Sequence, residues 1–377
     1  MSVVTRVRAF PVQYIEPNND GKLRSLTLVA VDTDDGATGW GEAISGTVET
    51  SLAVAFLAER RLAPMIQGRD PRDVRQIWQD VRDATFWDGN GGVLTFAHSA
   101  IDMALWDLAG IVQDRPLYEL LGGRRTDRIR ACASTIFATG DLERIRTEYA
   151  GFAAQGYTAV KGGWGHDLSI AFGRDATRDL AVAHAVRDAV GPDVDVICDV
   201  VALAGWTAEH GIDVARRLAD EVGLFWLEDP FHEEDLVAYR ALKDALPDLR
   251  ICTGEKGWIE PHYRRLVASG VDVVMLDPGR AEGVTGTWNV IEMARQAGRS
   301  WNAHSWSSAV NTAASLHMAA ASSNVLVLEL KPVPSPMQDD IVRTPIRQEA
   351  GYLAASDRPG LGVEVDEAAV RNFVVAA

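Results

Sequence analysis

The feature that most constrains the fold is a regular alternation, from about residue 129 onward, of short apolar runs with amphipathic helical segments. Eight runs follow one another, and the segments between them, such as Thr207–Glu221, have helical periodicity. Near-continuous apolar strands are typical of a parallel sheet covered by helices, and eight of them close into a barrel. The sequence therefore predicts an α/β fold, a (β/α)8 barrel, with strands at Ile129–Thr135, Thr158–Lys161, Val194–Asp199, Leu224–Glu228, Arg250–Glu255, Val271–Asp277, Ser300–His304 and Val325–Glu329.

The part of the chain before the barrel has a different, α+β pattern. Alternating apolar segments predict antiparallel strands, and helical periodicity follows them up to Val112. The polar segment Glu16–Arg24 has the composition of a mobile loop. The predicted strands are Val3–Val12, Ser25–Asp32 and Ala37–Glu42. We divide the chain into an N-terminal α+β domain (1–125), the barrel (126–345) and a C-terminal segment that packs back on the N-terminal domain (346–377).

Charge and cysteine content exclude several classes of function. The formal net charge of −16 argues against nucleic-acid binding, which depends on Lys and Arg neutralising phosphates. Three isolated cysteines, without the CxxC spacing of a zinc or redox site, suggest a cytoplasmic protein with reduced core thiols. No apolar run is long enough to suggest a membrane span, and the first residues do not have the pattern of a signal peptide.

The chemistry is predicted from the residues at the ends of the barrel strands. Seven ionisable residues close the second to eighth strands, separated by 38, 29, 27, 22, 27 and 25 positions, about one strand plus one helix each. Barrel active sites lie at this end of the strands. A single acidic residue there is usually a helix N-cap, but seven in register indicate a shared site. The seven are Lys161, Asp199, Glu228, Glu255, Asp277, His304 and Glu329.

Three of these residues, Asp199, Glu228 and Glu255, stand on consecutive strands and would repel one another unless a cation joined them. Ligation by carboxylate oxygens with room for water and substrate suits Mg²⁺ or Mn²⁺ rather than zinc. The alternative is that one or two of them form salt bridges with Lys161 or Lys256. We expect a Mg²⁺ site.

His304 and Asp277, on neighbouring strands, form the second predicted group. A carboxylate beside an imidazole fixes its tautomer and raises its basicity, which gives a general base or acid usable near neutral pH. Glu329 ends an apolar strand, where burial favours the neutral acid, which can donate a hydrogen bond to a substrate carboxylate. The alternatives are a core histidine and a Glu329–Lys331 ion pair.

Motifs along nearly the whole length resemble the enolase superfamily, in particular its mandelate racemase and muconate lactonizing branch. Together the motifs are highly specific, although each alone is weak. They are DDGATGWGEA (34–43), SAIDMALWDLAG (99–110), LYELLGG (117–123), FWLEDP (225–230), TGE (253–255), LDPGRAEGVTG (276–286) and PGLGVEVD (359–366).

The resemblance implies that the N-terminal domain caps a modified barrel, and that Glu16–Arg24 and a loop near Ser45–Thr50 cover the substrate. It also implies a dimer or octamer in this homo-oligomeric family. The residues that match the family's functional positions are the metal ligands Asp199, Glu228 and Glu255, the dyad Asp277 and His304, and the electrophilic Glu329. We add Lys161 to the catalytic residues and expect Lys161, Glu329, Trp306 and Lys22 to contact substrate.

Three departures from the family pattern bear on the reaction. The second strand ends Lys161-Gly162-Gly163, where many relatives have Lys-x-Lys with the second lysine as a base. Val201 stands in place of the family's Asn, the stretch from Asp199 to Trp206 is two residues longer than usual, and Arg280 stands where many relatives have Lys. Racemisation needs a base on each face of a planar enediolate, whereas dehydration can proceed with one.

We therefore expect a Mg²⁺-dependent lyase that removes the α-proton of a sugar-acid carboxylate and releases a 2-keto-3-deoxy acid. The alternatives are a cycloisomerase of a sugar-acid lactone or anhydro sugar acid, and a racemase or epimerase. From another class come an aldolase that forms a Schiff base at Lys161 or Lys256, and a barrel that only binds a ligand.

Overall fold

The computed structural model describes residues 2–167 and 169–376, and its N-terminal part is an antiparallel sheet with helices on one face. Strands β1 and β2 pair from Val4↔Thr33 to Glu16↔Lys22, and β3 pairs with β2. The central helix α4 packs on β3. The elements are β1 (Val4–Glu16), β2 (Lys22–Thr33), β3 (Thr38–Ser45), α1 (Val48–Phe56), α2 (Ala63–Ile66), α3 (Val74–Ala84), α4 (Gly92–Val112) and α5 (Leu117–Leu120).

The remainder forms a closed parallel barrel of eight strands, in which the eighth strand pairs with the first through Leu328↔Ala131 and Glu329↔Cys132. Helices follow the strands and cover the outside, as the alternation predicts. The strands are β4 (Ile129–Ser134), β5 (Ala159–Gly163), β6 (Asp195–Asp199), β7 (Trp226–Glu228), β8 (Ile251–Thr253), β9 (Val273–Leu276), β10 (Ser300–Ala303) and β11 (Val325–Leu330). The helices are α6 (Leu142–Ala154), α7 (Ala176–Val190), α8 (Ala208–Val222), α9 (Leu236–Ala245), α10 (Glu260–Ala268), α11 (Gly283–Gln296) and α12 (Ala309–Ala321).

The C-terminal segment returns to the N-terminal sheet, which confirms the predicted fold of a barrel with an α+β cap completed by the C-terminus. Val375 N donates to Pro11 O at 2.9 Å, and Gln13 N donates to Phe373 O at 3.0 Å. A side chain at Gly360 would lie 2.1 Å from the Asp107 carboxylate, so glycine allows this close approach. The segment contains α13 (Pro336–Asp339), β12 (Tyr352–Leu353, antiparallel to β4) and α14 (Glu367–Arg371).

The segment Glu16–Arg24, predicted as a loop, is shorter as a loop in the structure than its polar composition suggested. Strands β1 and β2 extend to Glu16 and from Lys22, which leaves a turn of five residues. Pro17 starts a single 3₁₀ turn, and Asp20 and Gly21 adopt positive φ angles (54° and 66°) that reverse the chain tightly. The polar composition misled the prediction because the charge of Glu16 is buried against Lys331.

The described helices are all too short or too polar to traverse a bilayer.

Candidate active site

The seven residues predicted from the strand ends meet in one cluster at the carboxyl ends of the barrel strands. Strand register explains this, since Gly163, Asp199 and Glu228 are aligned across β5, β6 and β7. Glu255, Asp277 and His304 lie one or two residues beyond the ends of β8, β9 and β10. The cluster borders a cavity of about 270 Å³ between the barrel and the N-terminal cap. Its volume suits a small molecule.

The carboxylates of Asp199, Glu228 and Glu255 lie close enough together to share a cation. One oxygen from each can be chosen so that all three lie within 4.8 Å of one another. Carboxylate oxygens are the hard ligands that Mg²⁺ prefers, so these three side chains would be the residues that hold such an ion. Asp199 and Glu228 are buried and Glu255 is partly buried. Burial raises the pKa of Glu228 well above its ordinary value, and Asp199 and Glu329 raise it further against the opposing charge of Lys161.

Lys161 is the cation that the structure places among these carboxylates. Its Nζ lies 3.1 Å from Asp199 Oδ2 and 2.6 Å from Glu329 Oε1, and it also contacts Glu228. Burial lowers the pKa of Lys161, but the neighbouring carboxylates outweigh burial and raise that pKa well above its ordinary value. The predicted salt-bridge alternative therefore exists in this arrangement, yet one ammonium group must serve three acids.

A second lysine, Lys256, also touches the cluster. Its Nζ lies 3.1 Å from Glu255 Oε1 and contacts the fully buried Asp229. Asp229 adopts a positive φ of 45°, an uncommon backbone conformation for a non-glycine residue. The position of Asp229 directly after Glu228 in the FWLEDP motif could have indicated this pair, which the sequence analysis did not find.

The predicted dyad has the geometry of an oriented base. His304 Nδ1 lies 2.7 Å from Asp277 Oδ2, and the other nitrogen, Nε2, lies 3.6 Å from Glu255 Oε2. Asp277 Oδ1 accepts from Gly279 N at 2.8 Å and Asn311 Nδ2 at 3.1 Å, which fixes the carboxylate. Burial lowers the pKa of His304, but the Asp277 hydrogen bond and the Glu255 charge produce a net raised pKa.

Glu329 reaches the cluster from the eighth barrel strand, but its contacts differ from those expected. Ser305 N donates to Glu329 Oε2 at 3.2 Å, and Oε1 faces the Lys161 ammonium at 2.6 Å. Both oxygens therefore face donors, whereas the expected role as a donor needs a proton on one of them. The alternative partner Lys331 instead pairs with Glu16 at 2.6 Å.

The other predicted substrate contacts divide into one that borders the cavity and one that does not. Trp306 lines the cavity and donates from Nε1 to Ser134 Oγ at 2.7 Å. Lys22 is exposed at the start of β2, away from the cavity lining, so its contact with substrate stays a prediction. The Ser45–Thr50 loop contributes Ser45 and Gly46 to the lining.

Several cavity residues had no assigned role in the sequence analysis. Thr135 and Ile136 follow the first barrel strand, so the strand-end rule would have found them had it not been limited to ionisable residues. Ile44 and Leu203 also line the cavity without having been named from the sequence, as does Arg24, which was included only in the segment Glu16–Arg24. The lining further contains Trp164, Val201, Lys256 and Arg280.

Two of the departures from the family pattern, at Gly163 and Val201, are associated with an unusual local backbone. A Cβ atom at Gly163 would lie 2.0 Å from the backbone oxygen of Asp199, so this backbone has no room for the second lysine of Lys-x-Lys. Val201 and Ala202 adopt positive φ angles of 54° and 60°, which are strained for residues with side chains. Backbone bonds hold this turn, including Ala202 N to Asp229 O at 2.8 Å.

Two family models match this chain, one in each half. Residues 6–122 match the family model of the mandelate racemase / muconate lactonizing enzyme N-terminal domain, and residues 144–369 match that of the enolase C-terminal domain-like family. The chain belongs to the enolase superfamily. Both matches place it in the mandelate racemase and muconate lactonizing branch, which confirms the predicted family and fold.

Relatives in this superfamily include enzymes of both predicted reaction types. D-galactarolactone cycloisomerase from Agrobacterium fabrum is 30% identical over 93% of this chain and 91% of its own length. Arabinonate dehydratase from Saccharolobus solfataricus is 27% identical over 92% of this chain and 90% of its own length. The predicted lyase and its cycloisomerase alternative therefore both fit a member of this metal-dependent enzyme superfamily.

A solved structure extends the similarity to a metal-loaded relative. A racemase from Streptomyces coelicolor A3(2) with bound magnesium superimposes with a TM-score of 0.86 at 25% identity, covering 99% of this chain and 100% of the racemase. Enzymes of the superfamily bind a divalent metal, and the acidic cluster of this chain supplies a matching set of oxygen ligands.

Proposed function

We propose that the chain is a Mg²⁺-dependent acid-sugar dehydratase that converts a sugar acid into a 2-keto-3-deoxy acid. The observation that carries this proposal is the arrangement of the cavity. An imidazole oriented by Asp277 faces a cluster of three carboxylates, and the second strand has no room for a second base at Gly163. One base on one face suffices for dehydration.

In this proposal Asp199, Glu228 and Glu255 hold the metal. Their oxygens are the hard ligands that Mg²⁺ prefers, and their mutual repulsion is relieved by a divalent charge. The bound ion would supply positive charge beside the substrate carboxylate as negative charge develops there.

His304 is the proposed base, acting through Nε2. Asp277 holds Nδ1, so Nε2 is the nitrogen left to take the α-proton and later to assist departure of the β-hydroxyl group. Asp277 is an orienting residue, because its two oxygens are fully engaged with His304 and with donors from Gly279 and Asn311.

Lys161 and Glu329 are proposed to receive the substrate carboxylate. Both belong to the cluster at the strand ends. The Lys161 ammonium supplies a fixed positive charge close to where negative charge develops on the substrate. Trp306 is proposed to pack against the sugar chain from the cavity wall, and Lys22 to reach it from the hairpin. The homo-oligomeric state, dimer or octamer, and the domain boundaries at 125 and 345 are carried forward as predictions.

The second candidate is a cycloisomerase acting on a sugar-acid lactone. It is favoured by the similarity to D-galactarolactone cycloisomerase over 93% of this chain. The first proton transfer to His304 is common to both reactions, and a ring oxygen leaves in place of a hydroxyl group. The Schiff-base alternative is less well supported, because neighbouring carboxylates outweigh burial and raise the pKa of both Lys161 and Lys256.

The test is a screen of acid sugars and their lactones with the Mg²⁺-loaded protein, with products followed as 2-keto acids and by proton NMR in deuterated water. The proposal expects 2-keto-3-deoxy acid formation that EDTA abolishes. Ring opening without loss of water identifies the cycloisomerase. Turnover that persists in EDTA, with a borohydride-trapped lysine adduct, contradicts both.

A further inference from the structure

The four cations that line the cavity fall into two pairs with different surroundings. Lys161 and Lys256 each contact at least two carboxylates. Arg24 and Arg280 also line the cavity, yet within residues 2–167 and 169–376 neither has a carboxylate oxygen at ion-pair distance. The guanidinium groups of Arg24 and Arg280 therefore have no anionic partner within the described residues.

Aromatic rings hold the two guanidinium groups instead. Arg280 lies over Phe96, with 4.9 Å from Cζ to the ring centre, and beside Trp258 at 5.6 Å. Arg24 lies 5.5 Å from the Trp306 ring. Such stacking orients a guanidinium through its faces and leaves its N–H groups at the edge free to donate. Both groups are therefore positioned for an anion.

The setting of Arg280 is built by both domains. Phe96 comes from α4 of the cap and Trp258 from the barrel, and a Cβ at Gly91 would lie 2.5 Å from the Trp258 ring. Glycine with a φ of 137° at this position thus lets the cap approach the ring. The Nε atom of Arg280 is buried without a hydrogen-bond partner in the described structure. Because Nε is closed off from the cavity, the two terminal nitrogens of Arg280 are the donors left for a ligand.

The ligand atom that best fits two unpaired guanidinium groups is a carboxylate, since arginine can bind it with two parallel hydrogen bonds. The carboxylate next to the reacting carbon is already assigned to Lys161, Glu329 and the metal cluster. The guanidinium groups of Arg24 and Arg280 stack on rings, and neither forms an ion pair with a carboxylate of that cluster. A substrate with one carboxylate would leave both arginines without an anion.

We propose that the substrate is a dicarboxylate, an open-chain aldaric acid, whose second carboxylate is bound by Arg280 together with Arg24. The proposal rests on the proposed function, because it takes the first carboxylate to lie at the metal cluster. It assigns specificity to one residue of the cap and one of the barrel, so that ligand binding joins the two domains.

The first test compares six-carbon acids that differ only at the far end of the chain. Galactarate, glucarate and mannarate each have a matched aldonate, in which a CH₂OH group replaces the second carboxylate. Calorimetric titration of the Mg²⁺-loaded protein is expected to give at least about tenfold tighter binding for the diacid in one pair or more. Binding of every diacid no tighter than its aldonate, including binding of neither, overturns the proposal.

The second test assigns the preference to the arginines. Arg280→Gln and Arg24→Gln are each expected to weaken diacid binding by about tenfold while changing aldonate binding by less than about twofold. Arg280→Lys keeps the charge and should retain part of the preference. The matched control is Arg128→Gln, which removes an arginine that stacks on Tyr352 at 4.1 Å, outside the cavity lining. Equal losses for diacid and aldonate in the cavity variants would contradict the assignment.

The two proposals fail in different ways. Conversion of an aldonate without any preference for the diacid supports the dehydratase and rejects the dicarboxylate. A diacid preference that the arginine variants abolish, with no conversion of any acid and no exchange of its α-proton, supports the dicarboxylate site and rejects the proposed reaction.

Discussion

Two groups of buried carboxyl side chains in this molecule are handled in opposite ways. At the barrel mouth, Asp199, Glu228 and Glu255 come from neighbouring strands and face one another and two lysines. Inside the cap and where it meets the barrel and the C-terminal segment, a region called the interface below, the carboxyl groups of Asp102 and Asp107 stand singly. The comparison shows that burial of an acid does not by itself indicate a metal site, whereas mutual proximity does.

The interface carboxyl groups are bound by hydrogen-bond donors. Asp107 accepts from Trp40 N at 2.8 Å and Leu361 N at 2.7 Å, which joins α4 to the first sheet and to the C-terminal segment. Asp102 accepts from the backbone and hydroxyl of Thr285 at 2.8 and 2.7 Å. Burial raises the pKa of each to about 7, although the hydrogen bonds act against it.

The largest expected effect is on the rate of α-proton exchange, which should depend on a histidine at the barrel mouth and not on a buried histidine elsewhere. His304→Asn should lower α-proton exchange in deuterated water by roughly 10²–10⁴-fold, since it removes the oriented base, and should leave metal binding intact. The control is His317→Asn, which changes a buried histidine that hydrogen-bonds Tyr118 N and Leu361 O outside the cavity. Exchange at the wild-type rate in His304→Asn would remove His304 as the base.

The next expected effect compares the loss of stability when a carboxylate is replaced by its amide in each of the two regions. Asp107→Asn should lower the free energy of unfolding by about 2 kcal/mol. The two backbone N–H groups bind different oxygens of Asp107, so in asparagine one of them would face the NH₂ group and lose its acceptor. Glu228→Gln in the metal-free protein should lower it by much less, since the change relieves repulsion with Asp199 and Glu329. Chemical denaturation without metal measures both, and equal losses would erase the distinction between the regions.

The smallest expected effect is a pH dependence of the free energy of unfolding that is caused by Glu42 at the interface. Glu42 is buried against Ser308, and burial raises its pKa from 4.5 to about 7. The folded state therefore keeps a proton that the unfolded chain releases, and stability falls as pH rises from about 4.5 to 7. Glu42→Gln should remove roughly 1–2 kcal/mol of this fall. A difference between variant and wild type that is the same at pH 5 and pH 8 would contradict the raised pKa of Glu42.

The sequence predicted the mouth well and the interface poorly, for a physical reason. Residues at the ends of parallel strands share one edge, so the spacing of Asp199, Glu228 and Glu255 was enough to bring them together. Asp102 and Asp107 lie inside an apolar helix, and their partners are 183 and up to 254 positions away. Nothing local in the sequence indicates such partners.

What the sequence left out near the site has the same origin, long-range contacts. Glu16 was placed in a mobile loop because its neighbours are polar, whereas its partner Lys331 lies 315 positions away. The loss of a lysine at Gly163 was visible in the sequence, but its cause, the backbone oxygen of Asp199 at 2.0 Å from any Cβ, required the barrel register.

Calorimetric titration with Mg²⁺ tests most directly whether three neighbouring carboxylates bind one ion opposite His304. The wild type should bind a single ion per chain, Glu228→Gln should bind it at least about tenfold more weakly, and Asp107→Asn should bind it like the wild type. Equal affinity in wild type and Glu228→Gln, or the absence of saturable binding in all three, would contradict the proposed metal site.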